Sequence, residues 1–286
     1  MTPTPAPRCV ACTAPGVVPA PAPWWRCPRC GLLFADPLDA PGAVDYARAY
    51  ARAYASGEGL RVERARARLF AQALATLAPF GSRRCLDVGC GMGVFVRFAA
   101  ALGWTAIGVD HAIAPTDGPG FQLVEGRFPD RIPAEADGPF ALVTFFNSLT
   151  YVDDPIAVLA AAHARLEPGG LVIIRVPNAA MHRRVARVAA ALRGTRAGAW
   201  LAAATVRHPR SYTPRALREA LTLAGFDDVR VVASPPVPGD PYGTGATALG
   251  LVKIAVEAVM RAAGVLSAGR LVWSLSLEAR ARRARC

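Results

Sequence analysis

The chain has 286 residues, 53% of them hydrophobic, and a formal net charge of +12 carried almost wholly by arginine, since Lys253 is the only lysine. That length suits one full domain plus an appendage, and the apolar fraction supplies a sizeable core. The charge could favour anionic partners, but no dense basic block interleaved with aromatics is present, which disfavours nucleic acid. No stretch of 18 apolar residues is free of charge, so no transmembrane helix is expected. The Pro- and Ala-rich start has no continuous apolar run, so no secretory signal is expected either.

Four of the seven cysteines fall in the first 30 residues, as Cys9-x-x-Cys12 and Cys27-x-x-Cys30. An odd total and a paired spacing argue for metal in a reducing, cytoplasmic compartment rather than for disulfides. Two CxxC turns aim four thiolates at one centre, and four sulfurs suit a closed, structural zinc site. Gly31 supplies the left-handed residue that the second turn needs. The segment is too poor in apolar residues to fold alone, so metal would supply much of its folding energy. Trp24, Trp25, Leu32, Leu33 and Phe34 should pack it against something larger. Residues 1–36 therefore read as a zinc module and 37–80 as a helical linker and lid. In that linker Tyr46, Tyr50 and Tyr54 share one helical face, and a helix is expected over 60–78.

From Arg84 strands and helices alternate, which predicts a doubly wound, mostly parallel sheet of seven strands over 81–280. Strands are expected at 84–88, 105–109, 122–125, 140–146, 171–176, 228–232 and 270–277. Helices are expected at 94–102, 156–166, 180–192, 214–223 and 249–263, the fourth capped by Thr213 with Pro214 in its first turn. The last, with Lys253, Glu257 and Arg261 on one stripe, could pack on the domain, lie on a membrane or serve a homo-oligomer interface. The tail Arg280, Arg282, Arg283 and Arg285 reads as solvated and frayed. The usual helix between the second and third strands is expected to be short or missing, because only His111 to Phe121 separates them.

Three glycines at alternate positions, Gly89, Gly91 and Gly93, join the first strand to its helix, and Asp110 ends the second strand. In a doubly wound sheet such a carboxylate accepts two hydrogen bonds from a ribose diol. The glycine spacing is not GxGxxG, and Asp87 inside the first strand is a poor neighbour for a pyrophosphate but a good one for an amino group. These features disfavour a dinucleotide.

Leu86-Asp87-Val88-Gly89-Cys90-Gly91-Met92-Gly93 resembles the first motif of class I S-adenosylmethionine-dependent methyltransferases. Gly108-Val109-Asp110 resembles their second motif, and Leu166-Glu167-Pro168-Gly169-Gly170 the entry to their fifth strand. Pro214 to Phe226 resembles their segment before the sixth strand. The resemblance covers residues 84–278. The cysteine pairs followed by Gly31-Leu32-Leu33-Phe34 resemble the zinc-binding extension of a subgroup, some members of which methylate sugars or other natural-product intermediates. The resemblance implies a Rossmann-like methyltransferase fold with a small zinc-ribbon-like module. It implies that Gly89, Cys90, Gly91 and Gly93 pass close to S-adenosylmethionine, Asp87 lies near its amino group and Asp110 binds its ribose. It further implies that His111, Ala112, Arg127 and Phe128 flank adenine, and that Asn147, Ser148, Leu149 and Tyr151 face the methyl group and the acceptor. Zn2+ would sit on Cys9, Cys12, Cys27 and Cys30.

Methyl transfer is an in-line displacement that needs alignment and, for a hydroxyl or acidic carbon, a general base. His208, in a loop resembling one that closes over substrate, is the favoured base, with Tyr212 as helper and His182 as the next candidate. His163 reads as a packing residue. Arg175, Asn178 and Arg210 could bind an anionic substrate. The expected activity is transfer of a methyl group from S-adenosylmethionine to a small molecule, such as a nucleotide-linked sugar or natural-product intermediate. An RNA or protein methyltransferase and a non-catalytic zinc-containing scaffold are the alternatives.

Overall fold

The computed structural model describes residues 7–20, 24–36, 58–75, 82–111, 113, 115–130, 132, 134–203, 208–234, 259, 266 and 272–285. The tyrosine stripe, Ala112 and nearly all of the expected helix 249–263 lie outside them.

The N-terminal module is a small antiparallel sheet of β1 (Val18–Pro19), β2 (Trp24–Arg26) and β3 (Leu33–Ala35). A fourth strand, β10 (Arg210–Ser211), joins it from 175 residues further on, pairing Arg210 with Phe34 and Ser211 with Leu33. The module's Leu32 and Phe34 are fully buried and share one continuous core with Tyr212 and Leu217 of the main domain. The apolar residues flanking the cysteines are thus consumed by docking, which lets so small a segment be ordered.

The main domain begins after helix α1 (Glu58–Ala75). Its strands are β4 (Arg84–Val88), β5 (Thr105–Asp110), β6 (Thr116–Gly118), β7 (Phe121–Glu125), β8 (Phe140–Phe146), β9 (Leu166–Pro177), β11 (Asp227–Ala233) and β12 (Ser276–Arg282). They lie in the order β11-β12-β9-β8-β4-β5-β7-β6. Strands β4, β5, β7, β8 and β9 are mutually parallel, and β8 is buried along nearly its whole length, as a strand covered on both faces must be. Helices α2 (Val94–Ala101), α3 (Pro155–Arg165), α4 (Ala179–Ala191), α5 (Arg196–Ala203) and α6 (Pro214–Leu223) complete the described fold. The chain builds outward from β4 through β5 to β7, then returns to place β8 on the other side of β4. That reversal makes the C-terminal ends of β4 and β8 a topological switch point, the place where ligands bind in sheets of this kind.

Three sequence expectations are corrected. The gap between β5 and β7 holds no helix among its described residues, as expected, but it carries an unexpected antiparallel edge strand, β6, which makes eight strands in the described sheet rather than seven. The last strand is Ser276–Arg282, not 270–277, and it runs antiparallel between β11 and β9. The arginine tail is therefore not frayed: Arg282 Nη1 donates to Gly169 O at 2.9 Å and the Arg283 N–H to Gly170 O at 3.0 Å. Leu277, Ala279 and Ala281 alternate inward at 0–1% exposure, and it is this period-two pattern, written mostly in alanine, that makes the strand. Helix α5 was not expected.

Candidate active site and cysteine cluster

The glycine turn is tied to the end of β5. The N–H groups of Gly89 and Cys90 donate to Val109 O at 2.7 and 3.2 Å, and the Gly91 N–H donates to Asp110 Oδ2 at 2.9 Å. All three glycines have positive φ, at 72, 54 and 73°. A Cβ on Gly89 would stand 2.3 Å from Ser148 Cβ, and one on Gly93 2.5 Å from Leu123 Cδ2. These two glycines are required by the protein's own packing, which draws the turn onto β8's exit and onto β7. Cys90 turns its thiol inward, where a Cβ on Gly108 would meet it at 2.7 Å, so only its backbone lines the turn. The Asp110 carboxylate, held by Gly91, sits at the sheet's C-terminal edge with His111 Nδ1 3.4 Å from Oδ1.

Asp87 is fully enclosed in β4. Burial pushes its carboxyl up to about 7, against the hydrogen bond that Thr144 Oγ1 donates to Oδ1 at 2.7 Å. A cationic amino group arriving nearby would reverse that shift, because an opposite charge favours the carboxylate.

Across the switch point, Asn147 ends β8 with φ 64° although it is not glycine, a conformation that is uncommon and clusters at functional sites. It is held there by β9: its N–H donates to Arg175 O at 2.8 Å, and Arg175 Nη1 donates to its Oδ1 at 3.3 Å. Arg175 is itself buried and its Nε donates to Ser234 Oγ at 3.1 Å. Ser148 Oγ donates to Val88 O, linking the two strand ends. A 3-10 turn at Leu149–Tyr151 follows. Tyr151 Oη lies 2.8 Å from Nδ1 of the buried His208.

The remaining residues singled out from sequence are placed as follows. Tyr212 is fully buried and donates to Leu149 O at 3.4 Å, so the partner of His208 is Tyr151 rather than Tyr212. His182 lies in α4 with Nε2 3.2 Å from Leu275 O. Arg127 is exposed, 4.0 Å from Asp153. Phe128 is buried edge-on against Phe145, under the Arg165 guanidinium. His163 packs edge-on against Phe226, as expected. Asn178 caps α4 and donates to Ser274 O at 2.9 Å. Arg210 is neither solvated nor open to an anion: its Nη groups donate to the carbonyls of Ala35 and Asp153. Sequence reading missed this, because nothing local to Arg210 announces a partner 175 residues away.

In the module, the Sγ atoms of Cys9, Cys12, Cys27 and Cys30 all lie within 4.8 Å of one another and are buried. Cys9–Cys30 and Cys12–Cys27 are each separated by 3.6 Å. Zinc–sulfur bonds near 2.3 Å put the sulfurs of a tetrahedron about 3.8 Å apart, so the set fits zinc. Each pair ends in a left-handed residue, Thr13 (φ 57°) and Gly31 (φ 77°). The hydrogen bond from Cys30 lowers the Cys9 thiol to about 5, while burial pushes Cys12 up to about 12. Four thiols this close cannot all ionise without a cation among them. The cluster is bound to the active-site side of the domain: Thr213 Oγ1 donates to Cys30 O at 2.5 Å and Arg183 Nη1 to Gly31 O at 2.9 Å.

Residues 62–231 match a family model described as a methyltransferase domain. A ubiquinone biosynthesis O-methyltransferase from Ruegeria pomeroyi is 30% identical over 168 residues, covering 56% of this chain and 66% of the relative. One from Paracidovorax citrulli is 32% identical over 111 residues, 36% of this chain and 47% of its own length. Among solved structures, an S-adenosylmethionine-dependent methyltransferase from Archaeoglobus fulgidus shares 17% identity, covering 75% of this chain and 92% of that one, with a TM-score of 0.44.

Proposed function

The chain belongs to the methyltransferase-domain family, and from that premise we propose that it moves a methyl group from S-adenosylmethionine to a hydroxyl of a small molecule. The observation that supports the reading is what the strand ends beside the switch point carry. On one side stand the Gly91-held Asp110 carboxylate and buried Asp87; on the other stand Asn147 and the Tyr151–His208 pair. The cofactor, when bound, supplies an electrophilic methyl on a sulfonium. Asp110 would accept the ribose hydroxyls and Asp87 would offset the charge of the amino group. In the tautomer whose Nδ1 donates to Tyr151, His208 Nε2 would be the atom that takes the acceptor's proton. The names of the relatives, both O-methyltransferases, favour an oxygen acceptor. Phenols and nucleotide-linked sugars are the first acceptor classes to screen.

The test is transfer of labelled methyl to a panel of phenols, sugar nucleotides and RNA. His208→Gln should lower kcat by at least about a hundredfold, the usual range for a lost general base, with little change in cofactor affinity. Unchanged turnover would remove His208 from the chemistry.

One observation favours a second reading, a macromolecular acceptor. Residues 168–218 contain no acidic side chain, and Arg184, Arg187, Arg193 and Arg196 are exposed along α4 and into α5. Methylation of RNA but of no small molecule would select it.

A further inference from the structure

The loop that carries His208 is a strand of the cysteine module. Strand β10 completes the module's sheet, and the Ala35 N–H donates to Pro209 O at 2.9 Å, adjacent to His208 itself. Arg210 is 3% exposed and bridges three elements. Its Nη1 donates to Ala35 O in β3, its Nη2 donates to Asp153 O at 3.4 Å, two residues past Tyr151, and its guanidinium lies 5.8 Å from the Phe34 ring centroid. It therefore touches the module, the chain just beyond Tyr151 and, through its own backbone, the chain just beyond His208.

We propose that Arg210 is a positioning residue that makes the cysteine module part of the acceptor side of the active site, holding the His208–Tyr151 pair in place only while the module is folded. The proposal rests on the methyltransferase reading for its meaning but not for its test. The physical ground is that a two-residue strand has no stability of its own. Residues Arg210–Ser211 are extended because β3 pairs with them, and β3 is placed by a segment whose folding is coupled to its metal. Burying a guanidinium is costly unless its donors are paired; here the Nη groups donate to the carbonyls of Ala35 and Asp153, while Nε has no partner among the described residues. Loss of the module would remove the Ala35 carbonyl and the Phe34 ring from that guanidinium and release the loop. The cofactor side has no such dependence: the Gly89, Cys90 and Gly91 hydrogen bonds end on Val109 and Asp110, and the other residues that touch the turn and Asp87, Leu123, Thr144 and Ser148, belong to the main sheet and the exit of β8.

The experiment is histidine modification by diethylpyrocarbonate on the full-length, zinc-replete protein, mapped by mass spectrometry, beside calorimetric titration with S-adenosylmethionine. His111, with an exposed side chain, reports reagent activity, while buried His208 should be protected. In Arg210→Met, and in wild type stripped with a chelator, modification of His208 should rise at least about tenfold, as local opening allows. Affinity for S-adenosylmethionine should stay within about twofold, since the cofactor side lies outside the opened unit. Arg210→Lys, which keeps the charge and one donor, should restore part of the protection. Protection of His208 unchanged in both Arg210→Met and the stripped protein would overturn the proposal. So would a parallel loss of cofactor binding, which would mean general unfolding. Failure of the wild type to bind S-adenosylmethionine, with His208 still released in the variant, would instead defeat the methyltransferase reading alone.

Discussion

The two sides of the switch point are built in opposite ways. The cofactor side stays within the main sheet: the β4 turn, Asp87 and Asp110 fall within 24 consecutive residues, and the distant residues that touch them, Leu123, Thr144 and Ser148, come from β7, β8 and the exit of β8. The acceptor side is assembled from a distance: Tyr151 meets His208 across 57 residues, and Arg210 meets Ala35 across 175. A site part encoded by neighbours in the chain forms whenever the sheet forms. A part encoded by distant contacts depends on every element that delivers one. In this molecule the cofactor side is the fixed frame, and the acceptor side is conditional on the docked module.

The largest effect that sharpens this contrast belongs to Asp87. Its folded-state carboxyl is raised by burial to about 7 from an ordinary 3.8. Between those values the folded protein holds a proton that the unfolded chain has released. Stability therefore falls as pH rises from about 4 to about 7, and the full cost of the buried charge is present above 7. At about 1.4 kcal/mol per unit that cost is roughly 4 kcal/mol. Asp87→Asn should be more stable than wild type at pH 8, by up to that amount, with the gain vanishing near pH 4. Urea unfolding at both pH values measures it, and an equal stability difference at both would refute the burial account. The same shift predicts that binding of an amine-bearing cofactor below pH 7 releases a proton.

A smaller effect tests the seam between the halves. Thr213 Oγ1 accepts from the Ala216 N–H at 3.1 Å as the cap of α6 and donates to Cys30 O. Thr213→Ala should lower stability by about 1 kcal/mol, the usual value of a cap. Hydrogen exchange should quicken at the start of α6 and in residues 27–35, but not in β4 or β5. Faster exchange in β4 would show that the two sides are not separable.

The same distinction explains what the sequence made legible. The strand–glycine–helix unit, Asp110, the Thr213-Pro214 helix start and the four ligand cysteines are each written in a few adjacent residues, and the structure places each of those elements where the pattern predicts. The rest required contacts that no local pattern encodes. The His208–Tyr212 loop resembles one that carries a histidine and an aromatic, yet the Tyr212 ring is turned into the core and the hydroxyl that meets His208 is that of Tyr151. Arg210 reads as a solvated or ligand-binding cation from sequence, because a buried guanidinium whose Nη groups donate to distant backbone carbonyls leaves no trace in composition. The β12 strand was displaced because Ala279 and Ala281 carry too little hydrophobicity to show an alternating face between arginines.

The central claim is that the cofactor side of the switch point holds S-adenosylmethionine through Asp110, whatever the acceptor proves to be. Calorimetric titration of the zinc-replete chain with S-adenosylmethionine, beside Asp110→Ala and with NAD as control, tests it most directly. The account predicts saturable binding to wild type, no binding of NAD, and a loss of at least about tenfold in the variant, the worth of hydrogen bonds to a charged acceptor. Equal binding by the folded variant, or none by the wild type, would contradict it.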